Sequence, residues 1–105
     1  MDGGVHSVSN AQLAQGYDRI VIIAPSGASD NPYDNRTRRQ LEAEVEALRD
    51  AGSTVEYFLP DAGSVEAFGP NRSDATRARP AAEAGLRQGR AAAARLRSAW
   101  AGAAA

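Results

Sequence analysis

The run of four β-branched residues at positions 20–23, Ile-Val-Ile-Ile, constrains the fold of this chain more than any other feature. Side chains in a β-strand alternate between its two faces, so an apolar run without alternation predicts a strand that is buried on both faces. Pro25 closes the run, because proline cannot donate a hydrogen bond to a strand ladder. Residues 19–25 are therefore predicted to form a strand of a parallel sheet that is covered by helices on both sides.

The segments that follow extend this strand into a βαβ unit. A helix is predicted over about 37–51, where Leu41, Val45 and Leu48 recur at helical spacing and form one apolar stripe. Residues 54–59, Thr-Val-Glu-Tyr-Phe-Leu, predict a second strand. Strand, helix and strand joined by short links imply an α/β fold in which the two strands are parallel.

The rest of the chain is predicted from its turn formers and its helical spacing. In chain order we expect a short helical turn at 10–15 capped by Asn10 and ended by Gly16, a loop at 26–35, an irregular stretch at 60–79, a long helix at about 80–100 and a disordered tail at 101–105. Pro80 suits the first position of the long helix. Its predicted apolar face consists of Leu86, Ala93, Leu96 and Trp100. Gly85 and Gly89 lie one turn apart and would allow a close approach to another backbone.

Composition excludes several classes of function. The chain has 105 residues, no cysteine and one histidine, so disulfides, thiol catalysis and cysteine-ligated metals are excluded, and no metal site or cofactor is predicted. The formal net charge is −1, although residues 72–105 hold seven arginines and two acids. No aromatic residues interleave with these arginines, so a solvated helix face is favoured over a nucleic-acid partner.

The longest apolar run, 20–24, is far too short for a membrane span, and the polar start of the chain favours a cytoplasmic location.

The chain begins with a carboxylate followed by two glycines, Asp2-Gly3-Gly4. Glycines allow a sharp turn and a close approach of another group, so such an aspartate can reach into a cleft and accept a proton. The same three residues are also a common turn. His6, the single histidine, is interpreted as a solvated side chain. None of the eight serines stands in the Gly-x-Ser-x-Gly turn that exposes a nucleophile.

A longer pattern starts at this turn and resembles a known signature. Residues 2–14 read Asp-Gly-Gly-x-x-Ser-x-x-Asn-Ala-x-Leu-Ala, and 16–19 read Gly-Tyr-Asp-Arg before the first strand. This resembles the second signature of the patatin-like phospholipases, and the resemblance continues through 60–64, 67–71 and 84–90. It implies that residues 1–105 form a single partial domain, the C-terminal portion of a three-layer α/β hydrolase of a bacterial member.

The resemblance implies hydrolysis of lipid acyl esters by a Ser-Asp dyad, without a cofactor. Asp2 would be its catalytic aspartate, and Gly3 and Gly4 would be the motif glycines. The nucleophile turn and the oxyanion loop of the family have no counterpart here, so the chain is expected to be inactive alone and to need a missing N-terminal half. If so, residue 1 is an internal valine codon that was used or assigned as a start codon and is therefore read as Met1. The DNA sequence upstream of codon 1 tests this hypothesis.

Two other interpretations remain open. The chain is alternatively a non-enzymatic α/β module that binds a partner or completes a sheet supplied by another chain. A nucleotide-binding half-domain is a third interpretation, disfavoured because Gly-x-Gly-x-x-Gly is missing. In each case a two-stranded sheet with an unpaired edge is expected to fold marginally and to aggregate when isolated.

Overall fold

The computed structural model of the chain describes residues 7, 9–71 and 74–102. Residues 101 and 102 are described by their backbone only. Its helices and strands follow one another in the order β1 Arg19–Ile23, α1 Pro32–Asp50, β2 Thr54–Phe58, α2 Ala62–Phe68 and α3 Ala78–Gly102, with short 3₁₀ helices at Ala11–Ala14 and Ala75–Arg77. This order confirms a mixed α/β chain with a long C-terminal helix.

The two strands form one parallel sheet, as their sequence predicts. Arg19 lies opposite Thr54 at one end of the ladder, and Ile23 lies opposite Phe58 at the other. Parallel strands need a crossover connection, and here helix α1 supplies it.

The main hydrophobic core lies between this sheet and α1. The predicted stripe of Leu41, Val45 and Leu48 is at most 3% exposed. It packs against Ile20 of β1 and Val55 of β2. Burying each such side chain contributes about 1.5–3 kcal/mol, so this layer supplies most of the hydrophobic stabilisation.

Helix α3 covers β2 on the opposite face of the sheet, but only part of the predicted apolar face of this helix is buried. Leu86 is 57% exposed and Trp100 is 49% exposed. The buried side runs through Ala84 and the half-buried Gln88 and Leu96. The predicted face is therefore correct at Leu96 and wrong at Leu86 and Trp100.

The loop predicted at 26–35 is also too long, because α1 begins at Pro32 rather than near 37. The side chain of Asn31 caps this helix by accepting a hydrogen bond of 2.8 Å from the Asp34 amide. Pro32 occupies the first turn, where its missing N–H costs nothing. The turn formers at this position therefore start a helix instead of prolonging a loop.

The stretch predicted to be irregular, 60–79, contains helix α2 and the start of α3. Asp61 caps α2, and Gly69 ends it with a φ of 71°, a left-handed value that suits glycine. Helix α3 starts at Ala78, so Pro80 is not its first residue, and it continues to Gly102. Of the predicted disordered tail, 103–105 lies outside the described residues.

The predicted turn at 10–15 is a 3₁₀ helix, Ala11–Ala14, and Asn10 precedes it with a φ of 50°. The Asn10 side chain makes no capping hydrogen bond to this helix. It donates instead to the backbone carbonyl of Ser7, at 2.7 Å. Asn10 therefore stabilises the turn that enters the 3₁₀ helix.

Candidate functional site

The predicted site residues Asp2, Gly3 and Gly4, and the histidine His6, lie outside the described residues, so the dyad assignment stays a prediction. The structure does describe most of the segment that directly follows this motif, from Ser7 onward. The candidate site is therefore built from the contacts that hold this segment and from the carboxyl ends of the strands.

A carboxylate of α1 holds the segment that leaves the Asp-Gly-Gly motif. Glu44 accepts a hydrogen bond of 2.7 Å from the Ser7 hydroxyl through one oxygen and one of 3.0 Å from the Ala11 amide through the other. The Ser7 hydroxyl also accepts from the Asn10 amide at 2.9 Å. We call these four residues the Glu44 anchor.

The Glu44 anchor is a specific contact rather than a surface ion pair. Ser7 is 3% exposed and Ala11 is 5% exposed, so their polar groups need partners inside the protein. Hydrogen bonds to an ionised carboxylate are about twice as strong as neutral ones. Three of its four members, Ser7, Asn10 and Ala11, belong to the pattern that carries the family resemblance.

A second junction joins α3 to the carboxyl end of β2. The Gln88 side-chain oxygen accepts from the Asp61 amide at 3.0 Å and from the Ser64 hydroxyl at 3.1 Å. Its nitrogen donates to the Leu59 carbonyl at 2.7 Å. Two separate segments of the resemblance, 60–64 and 84–90, therefore meet through one amide side chain.

The neighbours of Asp61 in this junction favour the charged form of its carboxyl group. The pKa of its carboxyl group is lowered from the ordinary value, first by the hydrogen bond from the Ser64 amide, then by that from the Ser64 side chain and by the nearby Arg87 charge. Each interaction favours the charged form of the carboxylate at the N-terminus of α2. Asp61 is therefore an ionised capping residue rather than a proton donor at neutral pH.

The loop from β1 to α1 is tightly held as well. Gly27 is buried with a φ of 104°, and its carbonyl accepts from the Arg38 guanidinium at 2.7 Å. Asp34, 1% exposed, accepts from the Ser29 amide at 3.1 Å. Ligands of α/β sheets bind beyond the carboxyl ends of the strands, so this loop and the Gln88 junction form the edge suited to a site.

An apolar cleft of about 340 Å³ opens between the sheet and the helices α2 and α3. Its walls include Val21, Ile23 and Phe58 from the sheet, with Phe68 and Leu96 from the helices. Gln88 and Ser64 also line it, but they hydrogen-bond to each other. The cleft is therefore mainly an apolar surface and suits an apolar occupant.

Sequence reasoning missed both Glu44 and Gln88 as junction residues. The signal for Glu44 was its position three residues after Leu41, beside the buried stripe of α1. The signal for Gln88 was a polar residue on a helix face whose neighbouring positions, 84, 85, 91 and 92, hold only alanine and glycine.

Comparisons of the chain with protein-family models, with curated proteins and with solved structures find no match. Within the described part of the chain, no three His, Cys, Asp or Glu side chains are grouped as metal ligands would be. No helix in the described ranges 9–71 and 74–102 has the length and apolar character needed to cross a bilayer.

Proposed function

We propose that this chain is the carboxyl-terminal part of a patatin-like acyl hydrolase and that Asp2 is its catalytic base. The serine nucleophile and the oxyanion loop would come from another segment. The observation that carries the proposal is the Glu44 anchor, because it fixes the segment that follows the Asp-Gly-Gly motif against the α/β core. A catalytic aspartate needs this kind of support, since a small displacement of a reacting group lowers the rate strongly.

The proposed chemistry is acyl transfer through a covalent intermediate. Asp2 takes the proton of the serine hydroxyl while the serine oxygen attacks the ester carbonyl, and the alcohol leaves with a proton returned from Asp2. Water then hydrolyses the acyl-serine by the same base. No cofactor takes part. The substrate class is lipid acyl esters. The chain alone should not hydrolyse them, because it lacks the nucleophile turn.

A reconstitution assay tests this proposal. The full chain is co-expressed with an amino-terminal segment that carries the Gly-x-Ser-x-Gly turn of a patatin-like hydrolase, and hydrolysis of a chromogenic acyl ester is measured. Asp2→Asn should lower the rate by about 100-fold or more, because general-base catalysis contributes this much.

Asp50→Asn is the matched control, because it makes the same chemical change at an exposed residue at the end of α1. It should leave the rate unchanged. Activity that survives Asp2→Asn in a reconstituted pair would contradict the proposed role of Asp2.

The second candidate function is a non-enzymatic module that completes a sheet. One observation favours it: Ile23 of β1 is 80% exposed, although the sequence of β1 is that of a buried strand. Under this alternative, the reconstituted pair would form the same complex with the wild-type chain and with Asp2→Asn.

A further inference from the structure

Two hydrogen bonds at the ends of the ladder show which backbone groups of β1 face β2. The Thr54 amide donates to the Asp18 carbonyl at 2.7 Å, and the Ala24 amide donates to the Phe58 carbonyl at 3.0 Å. Backbone amide and carbonyl groups alternate in direction along a strand, so residues of even number face β2. The backbone groups of odd-numbered residues in β1 therefore point to its outer edge.

No described strand covers the outer edge of β1, and the adjoining apolar face is only partly covered by α2 and α3. Among the described residues β1 pairs only with β2, so the backbone groups of Arg19, Val21 and Ile23 have no strand opposite them. The side chains of Val21 and Ile23 line the apolar cleft. Ile23 is the most exposed large apolar side chain of the described residues.

The outer edge of β2, in contrast, is covered by arginines. The Arg49 guanidinium donates to the Val55 carbonyl at 2.8 Å, and that of Arg95 donates to the Tyr57 carbonyl at 3.4 Å. Arg95 also pairs with Glu56 of the same strand at 3.3 Å. Charged side chains at a sheet edge prevent a further strand from pairing there. Within the described part of the chain, the sheet is thus closed at β2 and open at β1.

We propose that the outer edge of β1 is a docking site for an aliphatic β-strand of a partner polypeptide. The row of backbone donors and acceptors selects an extended strand, since strand addition satisfies them in a ladder. Val21 and Ile23 select aliphatic residues at alternate positions of that strand. The inference is independent of the chemistry at Asp2, because it concerns only how the sheet is completed.

A second copy of the chain fits this edge less well than a separate strand. Pairing β1 with β1 of another copy would satisfy the backbone groups of both strands. In each copy, however, α3 lies over β2, and the side chains of Val21 and Ile23 would stay exposed on the cleft side. A partner strand joined to a covering segment buries both the edge and the face.

Amide hydrogen exchange of the full chain tests whether this edge is open. The amides of Ile20 and Ile22 should be protected by β2, whereas those of Val21 and Ile23 should exchange freely. A short acetylated peptide of alternating valine and threonine, added in excess, should protect Val21 and Ile23. The same peptide N-methylated along its pairing edge should not protect them. Equal protection of all four amides before any peptide is added would overturn the proposal.

Two lysine variants test the specificity of peptide binding. Ile23→Lys should weaken it by about tenfold or more, because a lysine against an aliphatic strand would bury an unpaired charge. Leu86→Lys, at the exposed outer side of α3, is the matched control and should bind normally. Equal loss in both variants would overturn the proposal. So would a stable dimer of the full chain that Ile23→Lys dissociates, because the occupant would then be a second copy.

Discussion

Glu44 is the residue whose contacts connect the segment that follows the candidate motif to the folded core. Its two oxygens accept hydrogen bonds from Ser7 and Ala11, which lie 37 and 33 residues away along the chain. Such a carboxylate holds the amino-terminal segment on α1 without contributing to the hydrophobic core. Its effect on stability can therefore be separated from that of packing.

We predict that Glu44→Ala lowers the free energy of unfolding by about 1.5–3 kcal/mol, the usual contribution of hydrogen bonds to a charged group. Urea denaturation followed by circular dichroism measures this change. Glu42→Ala is the control, because Glu42 is exposed on the same helix and should change stability by no more than about 0.5 kcal/mol. Equal effects of the two substitutions would show that the Glu44 anchor does not form.

Asp61 makes stability depend on pH in the acid range. Its pKa is lowered in the folded protein, first by the Ser64 amide. Stability from the charged carboxylate is thus fully present above the ordinary pKa of about 4 and is lost as the pH falls through the folded value. We predict that wild type and Asp61→Asn differ by a constant unfolding free energy between neutral pH and about pH 5, and that the difference decreases below about pH 4. A difference that stays constant in denaturation series through the acid range would contradict this.

Long-range polar contacts are the part of the candidate site that the sequence did not reveal. Glu44 and Gln88 have partners that helical or strand periodicity does not bring together, so no local pattern identifies them. Asp2, in contrast, was predicted from a motif alone. Its role as a catalytic base remains a prediction.

At the scale of elements, the strands were predicted better than the helix starts. Both strands are short apolar runs bounded by turn formers, and their predicted ranges, 19–25 and 54–59, contain the observed ones. Helix α1 was predicted five residues too short at its start because Asn31 and Pro32 were interpreted as loop residues. Helix α2 was missed because seven residues are too few to show a clear helical period.

The glycines of α3 allow a prediction about this helix. A Cβ added at Gly85 or Gly89 would meet no described atom within 4 Å, so the close approach to another backbone that these glycines predicted is not found among the described residues. Because alanine favours a helix over glycine, Gly85→Ala and Gly89→Ala should each raise the unfolding free energy by about 0.5–1 kcal/mol. The measurement is the midpoint of urea denaturation of each variant.

Gly27→Ala is the matched comparison for these two variants. It should lower stability, because its φ of 104° is strained for any residue with a side chain. A loss of stability in Gly85→Ala or Gly89→Ala would mean that α3 packs closely against some other segment of the chain.

At the scale of the whole molecule, the fold is asymmetric. The side of the sheet that faces α1 holds the buried core, and the opposite side is only partly covered by α3 and leaves an apolar cleft. The aliphatic run at 20–23 predicted cover on both faces, but the structure provides it in full only on the side of α1: Ile20 on that side is 7% exposed, whereas Ile23 on the other side is 80% exposed.

The central claim is that Asp2 activates a serine supplied by another segment. The most direct test is the rate at which a fluorophosphonate labels that serine when the serine-bearing segment is mixed with this chain. The account predicts rapid labelling with the wild-type chain and with Asp50→Asn, and slow labelling with Asp2→Asn although the complex still forms. Labelling at one rate with all three chains would contradict the claim.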